Sequence, residues 1–243
     1  MDLREQSANP NRHPWELSRA DMILQLLESN PKRTRYADIG SGDLYFARRL
    51  RALTDAPVCA VDVNYARQDA EPQIDVFTDI TQIPAASIDC AVLMDVLEHV
   101  NDDVALLRDV DRALASNARV LITVPAHAFL WSEHDAFLKH CRRYSHPVLS
   151  ATVRRAGFDI IEFFYFYGIP FVARAATVAL ANLGVRRRRS GEVGRWPYPD
   201  QHFTTRTLRM MLNADFKVSR LLGDGLLAGI GLSICAICRR ASA

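Results

Sequence analysis

Two hydrophobic periods alternate along this chain. Short, almost continuous apolar runs read as strands: one ending at Asp38, then "APVCAVDVN", "IDVFTDI", "SIDCAVLMDVLEHV", "ARVLITVPAH" (stopped by Pro125), "FDIIEFFYF" and finally "GIGLSICAICRR". Between them lie stretches with apolar residues every three or four positions, the period of a helix. The first runs from Pro14 to the Asn30-Pro31 stop, with Ala20, Ile23, Leu24 and Leu27 as its stripe and Trp15, Arg19 and Met22 along a neighbouring one. Others span Leu44 to Leu53, a segment capped by Asn101 or Asp102 with Val104, Leu107, Val110 and Leu114 inward, and Pro147 to Gly157. Apolar Ile169 to Leu183 and a short piece near Thr204 to Leu212 complete the set.

Continuous apolar strands alternating with amphipathic helices predict an α/β fold: a doubly wound, mostly parallel seven-stranded sheet flanked by helices, with the last strand antiparallel. The 243 residues fit one domain, with 1–31 as a helical cap and 32–126 as a ligand-binding core. Residues 127–146 and 168–212 then form substrate-side and insertion segments. Ligands of such sheets bind at the carboxyl ends of the strands. Asp38, Asp62, Asp79 and Asp95 all fall there, a set suited to hydroxyls and cations.

The first strand leads into "DIGSGDLYFA", where Gly40 and Gly42 let backbone approach a ligand closely. A dinucleotide loop wants a third glycine and a helix N-terminus free for pyrophosphate. Here Tyr45 takes the third glycine's place, and Asp43 puts negative charge where phosphate would lie. S-adenosylmethionine carries no phosphate and brings an ammonium, a sulfonium and a ribose diol. Asp38 is placed to oppose the ammonium, with the backbone of Gly40, Ser41 and Gly42 for the carboxylate. Asp62, 20 residues after Gly42 and followed by Val63, suits the ribose hydroxyls, and Asp79 with Ile80 suits the adenine.

These segments resemble the class I S-adenosylmethionine-dependent methyltransferases, whose first motif is similar to "DIGSGDLYFA", ribose acid to "AVDVN" and fourth-strand motif to "DCAVLMDVLEHV". The likeness covers roughly two-thirds of the chain, and departs at Leu44, where the family often has glycine. It implies a Rossmann-like sheet, with Asp95 added to the cofactor contacts. A further likeness is to a bacterial subgroup that joins an N-terminal "H-x-W…R" (His13, Trp15, Arg19) to "HD", "H" and "RRY" in 134–144.

That last segment would hang over the carboxyl edge, where an acceptor must approach. If the acceptor is a hydroxyl, a base must take its proton. His134 with Asp135 alongside is the first candidate, followed by His99 and His127. His140, Arg142, Arg143 and Tyr144, with Trp15 and Arg19, are expected on the substrate side. The two arginines suit an anionic acceptor, or else an exposed helix face with Asp135 and Lys139 paired. Glu98 is expected to cap or brace the helix that follows. His127, His134 and His140 match no standard zinc spacing, so no metal is expected.

Composition narrows the partners. Hydrophobic residues make up 49% and charged residues 24%, enough for a sizeable core. A net charge of +2, with few aromatics among the basic residues, argues against nucleic acid. Cys235 and Cys238 form a CxxC inside an apolar strand and read as core thiols, and the scattered cysteines fit a reducing compartment. Asp2 and Glu5 argue against a secretory signal, and Arg174 interrupts the longest apolar run, so a cytoplasmic protein is expected. Apolar 168–183 leading to Arg186–Arg189 also suits peripheral contact with an anionic membrane through 168–189, or a lipid-linked acceptor. Two alternatives to a methyltransferase stay open: a methyltransferase-like binding subunit without turnover, and an NAD-dependent oxidoreductase.

Overall fold

A computed structural model describes residues 11–28, 33–65, 71, 73–183, 196–222 and 229–241. The chain begins with α1 (Pro14–Glu28), whose Pro14 lacks only an amide that would have no helical partner. Then come β1 (Tyr36–Ile39), α2 (Tyr45–Thr54), β2 (Val58–Val61), β3 (Ile74–Phe77) and β4 (Ile88–Met94). Helix α3 (Asp103–Ala113) starts where the Asp102 carboxylate accepts from the Ala105 amide, and it leads into β5 (Leu114–Pro125). The short α4 (Glu133–Phe137), α5 (His146–Arg155), β6 (Phe158–Phe166), α6 (Gly168–Asn182), α7 (Phe203–Leu222) and β7 (Ser233–Arg240) follow.

The seven strands form one sheet in the order β3-β2-β1-β4-β5-β7-β6. β7 runs antiparallel to both of its neighbours, and the pairs from β3 to β5 are parallel. The mixed seven-stranded sheet is therefore as expected, including its reversed last strand. β1 and β2 are buried at every position, which is why their sequences carry no polar alternation. The sheet separates two apolar cores. One gathers α3 and α5 residues such as Leu107, Val110, Leu149 and Val153; the other gathers α1, α2 and Phe216 of α7.

Cys235 and Cys238 are both buried but belong to opposite cores, since residues three apart on a strand face opposite ways. A shared metal or disulfide is thereby excluded, and burial pushes the Cys238 thiol up to about 12. Helix α7 is far longer than the short helix expected at Thr204 to Leu212. The polar residues just beyond that span have partners inside the fold: Asn213 bonds Asp21 and Ser18 of α1, and Asp215 accepts from the amides of Gly168 and Ile169, capping α6. Leu114 opens β5 instead of closing α3. Arg186–Arg189 lie outside the described residues, and no described helix is long and apolar enough to cross a membrane.

Candidate active site

The parallel strands put their carboxyl ends on one edge, and the order β2-β1-β4 makes the crevice between β1 and β4 a switch point for ligands. Asp38 sits inside β1 and is 1% exposed; neither carboxylate oxygen has a hydrogen-bond partner. Burial, with the Asp62 carboxylate adding to it, pushes the Asp38 carboxyl up to about 7. A buried carboxylate without a partner is costly in its charged form.

Beyond β1 the chain turns through Gly40 at φ +72°, where an added Cβ would stand 2.6 Å from a Val96 methyl. Glycine is thus required both by conformation and by space. Leu44 also takes a left-handed conformation, φ +66°, which explains why glycine suits that position in related loops. Its side chain is 4% exposed and packs into the core of α1 and α2, compensating a backbone cost of about 1 kcal/mol.

The loop amides expected to meet a carboxylate are already engaged. Gly40 and Ser41 donate to the Val61 carbonyl, and Gly42 donates to Asp62 Oδ2 at 3.0 Å. Ser41 Oγ bonds the Tyr65 hydroxyl. Asp62 Oδ1 accepts from the amide and side chain of Asn64, so the carboxylate is held rigidly at the end of β2 beside exposed Val63. Asp79 is exposed and caps the turn Ile80–Gln82 by accepting from Thr81, while Ile80 is largely buried in the core.

The N-terminal segment crosses this edge. Arg12 pairs with Asp43 and stacks 3.9 Å over the Tyr45 ring, so the charge of Asp43 is neutralised within the chain. Arg19 of α1 pairs with Asp95, which also accepts from Thr123 Oγ1 at 3.0 Å. Trp15 packs on Tyr167, ring centroids 4.0 Å apart. Arg19 and Asp95 therefore form one ion pair, although they were assigned separately to acceptor and cofactor.

The acceptor-side expectations change most. Asp135 is completely buried and turns away from exposed His134, onto His140 Nδ1 at 3.0 Å and Arg143 Nε at 2.7 Å. Burial opposes its charge, but the bonds from His140, Arg143 and Ser132 hold its carboxyl well below the usual range. Arg142 is bound to Asp103 and to the Val100 and Asn101 carbonyls, and Arg143 to Asp135 and the Ala126 carbonyl. Neither guanidinium is presented as an anion clamp, and neither lies on an exposed helix face. Tyr144 is buried too, its hydroxyl donating to Asp103 Oδ2 at 2.8 Å. The "RRY" segment is a bracket that fixes the loop after β5 to the start of α3.

His127, at φ +60°, stacks on Tyr165 with centroids 5.1 Å apart and touches Phe171. His99 and His140 meet edge to face at 4.7 Å. Glu98 does not cap α3, a role taken by Asp102; it is buried, and neither of its oxygens has a hydrogen-bond partner. Burial and then the field of Asp95 push its carboxyl well above the usual value, against the pull of Arg19. The only sequence signal for Glu98 was its place in "LEH" after an apolar strand.

The profile of a family described as a methyltransferase domain matches residues 13–162, more than half of the chain. No curated protein sequence matches it. Among solved structures, it is similar to phosphoethanolamine N-methyltransferase 2 of Haemonchus contortus in complex with S-adenosyl-L-methionine. There the TM-score is 0.58 at 16% identity, over 94% of this chain and 53% of that one, so this chain spans about half of that protein. It is also similar to the 1,6-didemethyltoxoflavin-N1-methyltransferase of Burkholderia thailandensis, bound to 1,6-didemethyltoxoflavin and S-adenosylhomocysteine. That pair has a TM-score of 0.53 at 14% identity, covering 92% and 77% of the two chains. A third is an S-adenosylmethionine-dependent methyltransferase from Mesorhizobium loti, with a TM-score of 0.55 at 16% identity over 90% and 96%. By its matched profile and its strand order, the chain belongs to the methyltransferase-domain family, as a class I member whose cofactor is S-adenosylmethionine.

Proposed function

We propose that this protein transfers a methyl group from S-adenosylmethionine to a small-molecule or lipid-linked acceptor by in-line displacement. The observation that carries the reading is Asp38, a buried carboxylate with two unpartnered oxygens beside the β1 glycine turn. When bound, the cofactor supplies an electrophilic methyl group on a sulfonium. The chain's own work is to seat that group and to exclude water. Asp38 is assigned the ammonium and Asp62 the ribose hydroxyls, while Asp79 and Ile80 border the adenine end. Asp95 acts through Arg19, holding α1 over the edge.

The acceptor side is assigned to Glu98, His99 and His140, not to His134. His140 is oriented by Asp135 through Nδ1, which leaves Nε2 as its lone pair. His127 and Trp15 are assigned to the aromatic walls around it.

A lipid-linked acceptor is favoured by an apolar ridge at α6, where Ile169 and Val172 are 63% and 59% exposed, beside exposed Phe129, which meets Phe171. Flotation with anionic vesicles tests that part; absence of co-flotation refutes it. Calorimetry with S-adenosylhomocysteine and with NADH tests the cofactor, since an oxidoreductase binds the second. Turnover with acceptor pools containing polyprenyl-linked sugars and small aromatic acids separates an enzyme from a binding subunit, which releases no S-adenosylhomocysteine.

A further inference from the structure

Apart from Asp38, Glu98 has the other buried carboxylate in the described chain whose two oxygens both lack a hydrogen-bond partner. Arg19 passes nearby but pairs with Asp95 instead. Glu98 lies in the turn Leu97–His99 that follows β4, and its neighbours are two imidazoles. One ligand atom each from Glu98, His99 and His140 falls within 4.8 Å of the others.

His140 is anchored through its other ring nitrogen. Its Nδ1 bonds Asp135, and Asp135 is gripped in turn by Arg143 and Ser132. A carboxylate behind an imidazole fixes the tautomer and turns the other nitrogen into a directed ligand, as it does for metal-bound histidines. The geometry points to a divalent-cation site formed by Glu98, His99 and His140.

Two nitrogens and one oxygen suit a first-row transition ion such as Zn²⁺, Fe²⁺ or Mn²⁺ better than Mg²⁺ or Ca²⁺, which take oxygen shells. Ligand atoms around a tetrahedral zinc stand about 3.4 Å apart, so binding draws these side chains together by at most about 1.4 Å. Of the three histidines weighed for zinc from their spacing, His140 is in this set and His127 and His134 are not.

Three protein ligands leave coordination open for an acceptor oxygen. There the ion lowers the pKa of a hydroxyl, whose O–H bond breaks with the proton passing to bulk water. This role rests on the methyl-transfer reading; the site itself does not.

The test is titration of EDTA-stripped protein with Co²⁺, without cofactor or acceptor. One Co²⁺ per chain with visible d–d absorption is expected, weakened at least ten-fold in Glu98→Gln and in His140→Ala but unchanged in His146→Ala. Absence of stoichiometric uptake, or uptake indifferent to both variants, overturns the site. Should the variants not fold, pulsed EPR of Cu²⁺-loaded wild type decides: two imidazole couplings support the site, and one or none refutes it. S-adenosylhomocysteine calorimetry on the same preparation keeps the two readings apart. Nucleoside binding without Co²⁺ uptake removes only the ion site, and the converse removes only the methyl-donor reading.

Discussion

If Asp38 opposes the cofactor's ammonium, cofactor affinity must carry its titration. The free protein holds this carboxyl near 7 because it is buried, with Asp62 close by, whereas an ordinary carboxyl titrates near 3.8. Binding an ammonium requires the ionised form, so affinity for S-adenosylhomocysteine falls as pH drops below 7. Between pH 7.5 and 5.5 the loss is about 25-fold, and at pH 6 binding releases about 0.9 proton. The same shift sets apo stability. A carboxyl whose folded pKa is raised contributes most below its unfolded pKa, and that contribution disappears as pH rises through 7. Across the window this amounts to about 4 kcal/mol. Isothermal calorimetry in buffers of different ionisation enthalpy measures both affinity and proton release. Asp38→Asn is expected to bind weakly with no pH slope, and to raise the apo Tm at pH 7.5. A wild-type Kd that is flat from pH 5.5 to 7.5, or an apo Asp38→Asn that melts below wild type at pH 7.5, refutes the reasoning.

Three further outcomes follow from side-chain partners. Arg143→Ala leaves Asp135 buried with fewer donors, so urea denaturation should show a loss of about 3 kcal/mol. Because the Asp135 carboxyl is held low in the fold, its contribution is present at neutral pH and lost as pH falls below the ordinary carboxylate range; the variant should acid-unfold at higher pH. His140→Ala should lower kcat about 100-fold with cofactor Kd unchanged, while His134→Ala changes kcat less than about 3-fold; equal effects would return His134 to the site. Asp62→Ala should abolish measurable S-adenosylhomocysteine binding in calorimetry, whereas Asp79→Asn, at an exposed cap, should cost less than about 1 kcal/mol.

The sheet was legible because buried parallel strands are written as continuous apolar runs, as in β2, β4 and β5. The acids at the edge were legible for the same reason: a strand that must be apolar makes an aspartate at its end conspicuous. What failed involves partners far apart in the chain. Arg142 and Arg143 look like a solvated charge run, yet Arg142 meets Asp103, 39 residues earlier, and Arg143 the Ala126 carbonyl, 17 earlier. His134 and Asp135 are neighbours in sequence, but adjacent helical residues point apart, and Asp135 reaches His140 instead. The extent of α7 beyond Leu212 likewise rests on distant partners, since Asn213 bonds α1 and Asp215 caps α6.

The central claim is that the carboxylates along the β1–β4 edge seat a positively charged nucleoside. The most direct measurement is a crystal structure of the complex with S-adenosylhomocysteine. The account predicts its ammonium within hydrogen-bonding distance of Asp38 and its ribose hydroxyls on Asp62. A nucleoside lodged elsewhere, with Asp38 still unpartnered, would contradict it.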